Sequence, residues 1–265
     1  MDLGFADATA AVVGGGRGMG FAAARCLAED GARVAVVGRT KAVLDKAAEN
    51  LSALGSPDAL GLVADATDDV AVQRIFDELA ERWNGELNVL INAAGPSAVG
   101  RFEDLTDDQW RQAVDEGVMG MVHCVRSALP LLRSAAWARI VNFSAHSTQR
   151  QSEILPAYTA SKAMVTSISK NLSLALAKDE IMVNVISPGS IASEGLKGWA
   201  QSVDVDGNDP YALMAAIDKH FGHPAHLPRA GLPDEIGPVV AFLASKRNSY
   251  MTGANINVDG GSDFT

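Results

Sequence analysis

Residues 10–21 of the chain read AAVVGGGRGMGF: an apolar run, a glycine-rich loop and the start of an amphipathic stretch. Glycine is needed where the backbone turns tightly and a phosphate group comes close to the free amides at the start of a helix. The same cluster alone is also compatible with a tight turn that packs a helix against a strand. Strand, loop and helix in this order predict a site for the pyrophosphate of a dinucleotide.

The remainder of the chain continues this alternation of strand and helix. Runs rich in Val, Ile and Ala predict buried strands, and the stretches between them have helical periodicity. Strands are predicted over 10–13, 34–37, 60–64, 89–92, 140–143, 182–186 and 255–258. Helices are predicted over 19–30, 42–54, 70–83, 107–132, 157–178 and 234–244. Because such apolar strands have no wet face, we expect an α/β fold with a doubly wound, mostly parallel, seven-stranded Rossmann-type sheet and helices on both faces.

One segment, 190–228, interrupts the alternation and is too long for an ordinary connection. We expect a single domain over residues 1–265 in which this segment is a substrate lid. Its apolar residues are expected to form the inner face of a helical flap, with ordinary packing or an oligomer contact as the alternative. They are Leu196, Trp199, Tyr211, Leu213, Met214, Ile217 and Phe221.

Composition narrows the class of protein. Hydrophobic residues make up 48% of the 265 residues and charged residues 20%, which is typical of globular domains. The net charge of −10 disfavours nucleic acid and anionic membranes as partners. Two cysteines, Cys26 and Cys124, indicate no disulfide framework, and neither a secretion signal nor a long apolar run is present. A cytoplasmic location is therefore expected.

Tyr158 and Lys162 lie four residues apart near the start of a predicted helix, so they share one face. A tyrosine ordinarily ionises near pH ~10, and a close ammonium favours the phenolate. Such a phenol can give a proton to the oxygen of a carbonyl group whose carbon receives hydride from a nicotinamide. Because this spacing also arises by chance, a partly buried aromatic beside a surface cation is the alternative.

The order of these motifs resembles the short-chain dehydrogenase/reductase family, particularly its 3-oxoacyl reductase-like and hydroxysteroid dehydrogenase-like members. The glycine loop is followed at the family's intervals by NAAG at 92–95, the Tyr158 and Lys162 pair and NVISPG at 184–189. The likeness continues through 229–236 and 252–261. It implies that Tyr158 is the acid/base, that Lys162 also holds the nicotinamide ribose, and that the chain forms tetramers or dimers.

The cofactor is predicted to be NADP(H). The second strand ends at Arg39 without the acid that bonds the ribose hydroxyls of NAD, and a guanidinium there can meet a phosphate. The family's NADP users often carry a second base at the place of Arg17. By resemblance Asp65 bonds the adenine, although a turn or helix-capping aspartate is the alternative. The other cofactor contacts that the resemblance implies are Gly14, Gly16, Gly18, Met19, Gly20, Asn92, Ala93, Gly95, Pro188, Gly189, Ile191 and Ser193.

Two departures from the family's pattern concern the predicted catalytic machinery. The substrate-orienting serine is replaced by Ala145, so Ser144 or Ser147 is expected to supply the catalytic hydroxyl. Ser144 is preferred because it ends the strand, although a period of two turns its side chain away from the face of Ala145, which keeps Ser147 as a candidate. Gly117 stands where the family has an asparagine that links the lysine to solvent through a water, so this relay is expected to be altered.

Histidines offer two further hypotheses. His146, next to the missing serine, is either a donor to a substrate oxygen or an ordinary loop residue. His220, His223 and His226 lie together in the lid, but no carboxylate or cysteine at ligand spacing accompanies them. No metal is therefore predicted.

These features predict an NADP(H)-dependent oxidoreductase that interconverts a carbonyl and a secondary alcohol. The apolar lid indicates a small hydrophobic substrate such as a 3-oxoacyl thioester or a steroid-like ketone. One alternative is a catalytically weakened NADP-binding protein, because Ala145 and Gly117 replace the usual Ser and Asn. The other is a family member with a different reaction, such as reduction of a conjugated double bond or epimerisation.

Overall fold

A computed structural model describes residues 2–96, 98–222 and 224–262. Seven parallel strands form one sheet in the order β3-β2-β1-β4-β5-β6-β7. The strands are β1 Thr9–Val13, β2 Arg33–Gly38, β3 Ala59–Val63, β4 Val89–Asn92, β5 Ala138–Phe143, β6 Ile181–Pro188 and β7 Asn255–Val258. The order reverses between β1 and β4, which confirms the predicted doubly wound fold and places a ligand crevice at that point.

Helices connect the strands and cover both faces of the sheet. They are α1 Gly18–Glu29, α2 Lys41–Ala53, α3 Asp69–Arg82, α4 Asp107–Val114, α5 Gly120–Ser134, α6 Pro156–Ala175, α7 Glu194–Ser202, α8 Pro210–Phe221 and α9 Pro233–Ala244. Along β1, Ala11 and Val13 pack towards α3, α5 and α6, whereas Ala10 and Val12 pack towards α1, α2 and α9. Burial on both faces explains why these strands are apolar throughout instead of alternating.

The long helix predicted over 107–132 is interrupted. A π-helical turn, Asp115–Met119, separates α4 from α5. Gly117 lies in this turn, and a Cβ built on it would stand 2.8 Å from Ser161 Oγ and 3.0 Å from Pro96 Cδ. A side chain at this position therefore has no room, because α6 and the loop after β4 approach the backbone closely. The glycine permits this contact between the long helix and the start of α6.

Segment 190–228 contains α7 and α8, which pack against each other around their own apolar cluster. Leu213, Met214 and Ile217 are buried in that cluster, and Trp199 and Phe221 meet with ring centroids 4.8 Å apart. Leu196 packs on the same cluster, while Tyr211 is 58% exposed. The side chains expected to form an apolar surface for a substrate are thus largely used in packing α7 on α8. The expected apolar inner face of segment 190–228, on which the prediction of a hydrophobic substrate rested, is therefore not available to a substrate.

The part of the chain that the structure describes contains no helix that is long and apolar enough to cross a membrane. Cys26 and Cys124 are both free thiols. Within the described ranges no group of His, Cys, Asp and Glu side chains is arranged to hold a metal ion. His223, one of the three lid histidines considered above, lies outside the described residues.

Candidate active site

A cleft of about 430 Å³ runs along the carboxyl ends of the strands beside the switch in strand order. The glycine loop forms one side, and the residues after β2, β3 and β4 form the floor. The start of α7 reaches the same cleft. Of the predicted cofactor contacts, those that line it are Gly14, Gly16, Arg17, Gly18, Met19, Gly20, Arg39, Asp65, Ala93, Gly95 and Ser193.

The glycine loop is shaped for close approach of a phosphate. Gly14 has φ +79°, and a Cβ on it would stand 2.7 Å from the Ala94 nitrogen. A Cβ on Gly20 would overlap the carbonyl of Gly14. Arg17 is the N-cap of α1 and makes no side-chain capping bond, so the first amides of this helix face an anion site without a competing side chain. The loop therefore fits a dinucleotide pyrophosphate.

Two guanidinium groups and one carboxylate lie at the outer end of the cleft. Arg17 and Arg39 are both exposed and line it. Asp65 accepts hydrogen bonds from the amide and the hydroxyl of Thr67, at 3.0 and 2.8 Å. The Thr67 amide is the main group that holds the pKa of Asp65 below its usual range, with smaller contributions from the Thr67 hydroxyl and Arg39. Asp65 thus both lines the cleft and shapes the turn before α3.

Asn92 ends β4, but its side chain enters the core. Its amide donates to Asn142 Oδ1 at 2.8 Å, and the Asn142 amide donates to Ser169 Oγ at 2.9 Å. This buried chain of hydrogen bonds joins β4, β5 and α6. Asn92 therefore supports the strands under the cleft, and the residues that line the cleft at this strand end are Ala93, Ala94 and Gly95.

Pro188, Gly189 and Ile191 follow at the end of β6 and are not among the residues that line this cleft. The Gly189 amide donates to the Val258 carbonyl at 3.0 Å. A Cβ on Gly189 would stand 2.6 Å from the Asp259 Cα, so the backbones of the two segments touch at this point. The tight contact fixes where β6 leads into segment 190–228.

The structure brings Tyr158 and Lys162 together on α6. Helix α6 begins at Pro156, a position where the amide hydrogen that proline lacks would have no partner within the helix. Tyr158 therefore lies in the first turn. Lys162 is buried with its Nζ 5.8 Å from the centroid of the Tyr158 ring. Its ammonium donates to the carbonyl of Phe143 at 2.9 Å. Phe143, the last residue of β5, therefore fixes the position of the Lys162 ammonium.

Burial sets the protonation of this pair. It lowers the pKa of Lys162 to about 8 and raises the pKa of Tyr158 to about 12. The sequence had predicted a lower pKa for Tyr158. The direction is reversed because removal of the phenolate from water outweighs attraction to an ammonium that is held beside Phe143. In this state Tyr158 is a protonated donor at neutral pH.

Both candidate serines bond to α6. The Ser144 hydroxyl donates to the Lys162 carbonyl at 2.9 Å and accepts from Thr166 Oγ1 at 2.8 Å. The Ser147 hydroxyl accepts from Thr159 Oγ1 at 3.1 Å and keeps its own proton for a further acceptor. Ser144 thus uses its proton within the helix contact, as the period of two along β5 had indicated, whereas Ser147 does not.

His146 is half-buried in a 3₁₀ turn, His146–Thr148, and its Nδ1 lies 3.1 Å from the Pro188 carbonyl. Because a carbonyl only accepts, Nδ1 carries a hydrogen in this contact. His146 is therefore bonded to the end of β6.

Sequence reasoning missed several groups at the site. Phe143 supplies the carbonyl for Lys162, and Glu116 and Glu194 bring two carboxylates to the cleft. Thr40, Ala64 and Ala66 also line it. Thr40, Ala64 and Ala66 lie just after the ends of β2 and β3, and the sequence could have indicated them because ligands bind at the carboxyl ends of parallel strands. No sequence signal indicated the others.

The fold and these side chains define a dinucleotide-binding oxidoreductase. A family model described as Enoyl-(Acyl carrier protein) reductase matches residues 13–263. The chain belongs to the short-chain dehydrogenase/reductase family, and its cofactor is a nicotinamide nucleotide.

Two relatives and one solved structure illustrate the range of the similarity. Meso-2,3-butanediol dehydrogenase of Serratia marcescens is 31% identical over 258 residues, covering 97% of this chain and 95% of that protein. The rhamnolipids biosynthesis 3-oxoacyl-[acyl-carrier-protein] reductase of Pseudomonas aeruginosa is 33% identical over 259 residues, covering 95% and 94%. L-Sorbose reductase from Gluconobacter frateurii, complexed with NADPH and L-sorbose, superimposes with a TM-score of 0.92 at 27% identity and full coverage of both chains.

Proposed function

We propose that this protein is an NADP(H)-dependent enzyme that interconverts a carbonyl and a secondary alcohol, with Tyr158 as the acid/base. The observation that carries the proposal is the pair on α6, in which the Nζ of the buried Lys162 lies 5.8 Å from the centroid of the half-buried Tyr158 ring. When bound, the nicotinamide supplies or accepts the hydride.

In the reducing direction Tyr158 gives its proton to the carbonyl oxygen, which becomes the hydroxyl of the alcohol. The phenolate that remains is unfavourable in this buried setting unless a positive charge compensates it. Lys162 is the cation closest in sequence and on the same helix face, and it stabilises the phenolate until a proton from solvent restores the phenol. In the oxidising direction the phenolate takes the alcohol proton.

NADP(H) is the proposed nucleotide. Gly38 ends β2 and Arg39 follows it, so no acid that would bond ribose hydroxyls stands there. Arg17 and Arg39 are exposed at the cleft, where they can meet an added phosphate. The NADPH complex of L-sorbose reductase adds support. Arg17 and Arg39 place two positive charges in a cleft that Asp65, Glu116 and Glu194 also line, so the phosphate contact depends on these two arginines.

For the third catalytic position we favour Ser147 over Ser144. The Thr159 hydroxyl donates to Ser147 and thereby orients it, and the proton of Ser147 is left to donate to a substrate oxygen. Ser144 instead gives its proton to the Lys162 carbonyl.

Two substrate classes are proposed as alternatives. A small hydroxylated ketone or polyol is favoured because segment 190–228 uses its apolar side chains in its own cluster, and because relatives act on 2,3-butanediol and L-sorbose by name. The second class is a hydrophobic carbonyl compound. The relative named as a 3-oxoacyl-[acyl-carrier-protein] reductase supports a 3-oxoacyl thioester, and a steroid-like ketone remains from the sequence prediction alone. The matching family model is described as an enoyl reductase, and this supports reduction of a conjugated double bond as a second candidate reaction.

A turnover screen tests the proposal. Wild type and Tyr158→Phe are assayed with NADPH and NADH on hydroxyketones, polyols, 3-oxoacyl thioesters, steroid ketones and enoyl thioesters, and the products are analysed. We expect NADPH-dependent alcohol formation from a ketone, reduced by roughly 10²- to 10⁴-fold in Tyr158→Phe. Tight NADPH binding without turnover of any substrate would support the weakened-enzyme alternative, and a saturated product from an enoyl substrate would support the second reaction.

We also propose a homo-oligomer. The proposal follows from the resemblance to a family whose members form tetramers or dimers, and Tyr250, which is fully exposed, and Leu174, which is 79% exposed, are candidate contact residues. Light scattering coupled to gel filtration measures the mass, and a monomer at assay concentration would contradict the proposal.

A further inference from the structure

The loop between β5 and α6 is tied to three other parts of the molecule. His146 contacts the Pro188 carbonyl at the end of β6, at 3.1 Å. Gln149 Oε1 accepts a hydrogen bond from Asn257 Nδ2 of β7 at 2.6 Å. Arg150 makes the third link. The loop that carries Ala145 and Ser147 is therefore positioned by contacts with distant segments.

Arg150 donates hydrogen bonds to backbone carbonyls of two segments, the end of segment 190–228 and residues 259–262. Its Nη1 donates to the Pro224 carbonyl and to the Ser262 carbonyl, both at 3.0 Å, and its Nη2 donates to the Gly222 carbonyl at 3.3 Å. The side chain is half-buried. A planar guanidinium with five N–H donors can hold several carbonyls at once in a fixed arrangement, which an ammonium cannot reproduce.

The two segments that Arg150 holds also touch each other. The Leu227 amide donates to the Gly260 carbonyl at 2.9 Å. Gly261 has φ +88°, and a Cβ on it would stand 2.7 Å from His226 Nδ1, so the histidine ring packs directly on the glycine. The end of segment 190–228 and residues 259–262 therefore pack against each other, and Arg150 links both to the loop before Tyr158.

We infer that Arg150 is a positioning residue that holds the end of segment 190–228 and residues 259–262 against the 145–151 loop, and so fixes the substrate side of the site. The inference rests on the proposed function for its kinetic part. The 145–151 loop carries Ser147, the proposed donor to the substrate oxygen, and none of residues 145–151, 222, 224 or 259–262 lines the nucleotide cleft, so we expect the effect on carbonyl-substrate binding and not on the nucleotide.

The test compares Arg150→Met, which keeps the length of the stem without its donors, with Arg150→Lys. Arg133→Met is the control, because Arg133 is an exposed arginine that pairs with Asp179 near the amino ends of β5 and β6, whereas Arg150 lies beyond their carboxyl ends. KM and kcat are measured for the best substrate of the turnover screen, the Kd of NADPH by fluorescence, and backbone exchange by hydrogen–deuterium exchange mass spectrometry.

Arg150→Met is expected to raise KM by about tenfold, since several charge-assisted hydrogen bonds are lost, with kcat and the NADPH Kd within about twofold of wild type. Exchange in peptides containing Gly222, Leu227 and 259–262 should rise by about tenfold, while Arg150→Lys restores part of both effects and Arg133→Met changes neither.

Unchanged exchange in these peptides would overturn the inference, and so would faster exchange with an unchanged KM. An equal fall in kcat and kcat/KM would assign Arg150 to the chemistry and also overturn it. If no substrate turns over, or if Tyr158→Phe is as active as wild type, the proposed function fails, whereas the exchange comparison still decides whether Arg150 holds the two segments. If Arg150→Met does not fold, Arg150→Gln takes its place.

Discussion

The ammonium of Lys162 occupies the space that a side chain on Gly95 would need: a Cβ built on Gly95 stands 2.7 Å from Lys162 Nζ. The glycine that ends the NAAG segment after β4 therefore has a second role beyond lining the nucleotide cleft. It lets the strand end pass directly against the buried lysine of α6. The proposed catalytic pair and the cleft proposed for the nucleotide meet at this contact.

We expect Gly95→Ala to displace the lysine and to lower kcat/KM by about tenfold or more, since shifts on the order of 1 Å in a catalytic group are costly. Steady-state kinetics on the best substrate measures this. Gly198→Ala is the control, because a Cβ on Gly198 of α7 meets no atom within 4 Å. Wild-type kinetics in Gly95→Ala would show that the lysine moves aside without consequence.

Stability should depend on pH through Lys162. Its pKa is about 8 in the folded protein and 10.5 in its ordinary state, so the unfolded chain binds more protons between these values. The free energy of unfolding should therefore rise from pH 8 towards pH 10, by up to roughly 3 kcal/mol over the full interval. Tyr158 acts in the opposite direction only above pH 10, because its pKa rises from 10.0 to about 12.

Urea unfolding of the nucleotide-free protein from pH 7 to pH 10 measures this dependence. Lys162→Met is the matched comparison, since it keeps the stem and removes the titrating group. The rise with pH should be smaller in the variant than in the wild type. Parallel pH profiles for the two proteins would mean that Lys162 titrates normally in the fold.

Nucleotide preference should depend on Arg39. Arg39→Ala is expected to weaken NADPH binding by about tenfold, the loss of a charge-assisted contact, and to leave NADH binding nearly unchanged. Fluorescence titration with both nucleotides measures the two constants. Arg111→Ala removes an exposed arginine that pairs with Asp108 away from the cleft and serves as the control. Equal loss for both nucleotides, or none, would contradict the role of Arg39.

The two serines should differ in what their removal affects. Ser147→Ala is expected to lower kcat by roughly 10- to 100-fold through loss of a donor to the reacting oxygen. Ser144→Ala should leave kcat within a few-fold and lower the free energy of unfolding by about 1 kcal/mol, because it breaks a buried hydrogen-bond network with Thr166. Kinetics and urea unfolding of both variants provide the measurements. Reversed results would return the catalytic hydroxyl to Ser144.

Element positions were predictable from the sequence to within a few residues. The predicted strands begin and end within two residues of the observed ones, because a buried parallel strand carries a continuous apolar signal. The break in the long helix was less visible. Gly117 was noted as a departure from the family's pattern, but the contacts of the π-helical turn with Ser161 and Pro96 involve residues that are distant in sequence.

The glycine loop, the alternation of strand and helix and the four-residue spacing of Tyr158 and Lys162 were determined by the sequence itself, since each depends on local geometry that a short stretch dictates. The tertiary structure decided which groups these elements meet. It turned Asn92 into the core, bonded Ser144 to α6, packed α7 on α8 and raised the pKa of Tyr158 by burial. Hydrogen-bond partners and desolvation depend on what packs against a side chain, and those neighbours come from segments far apart in the chain.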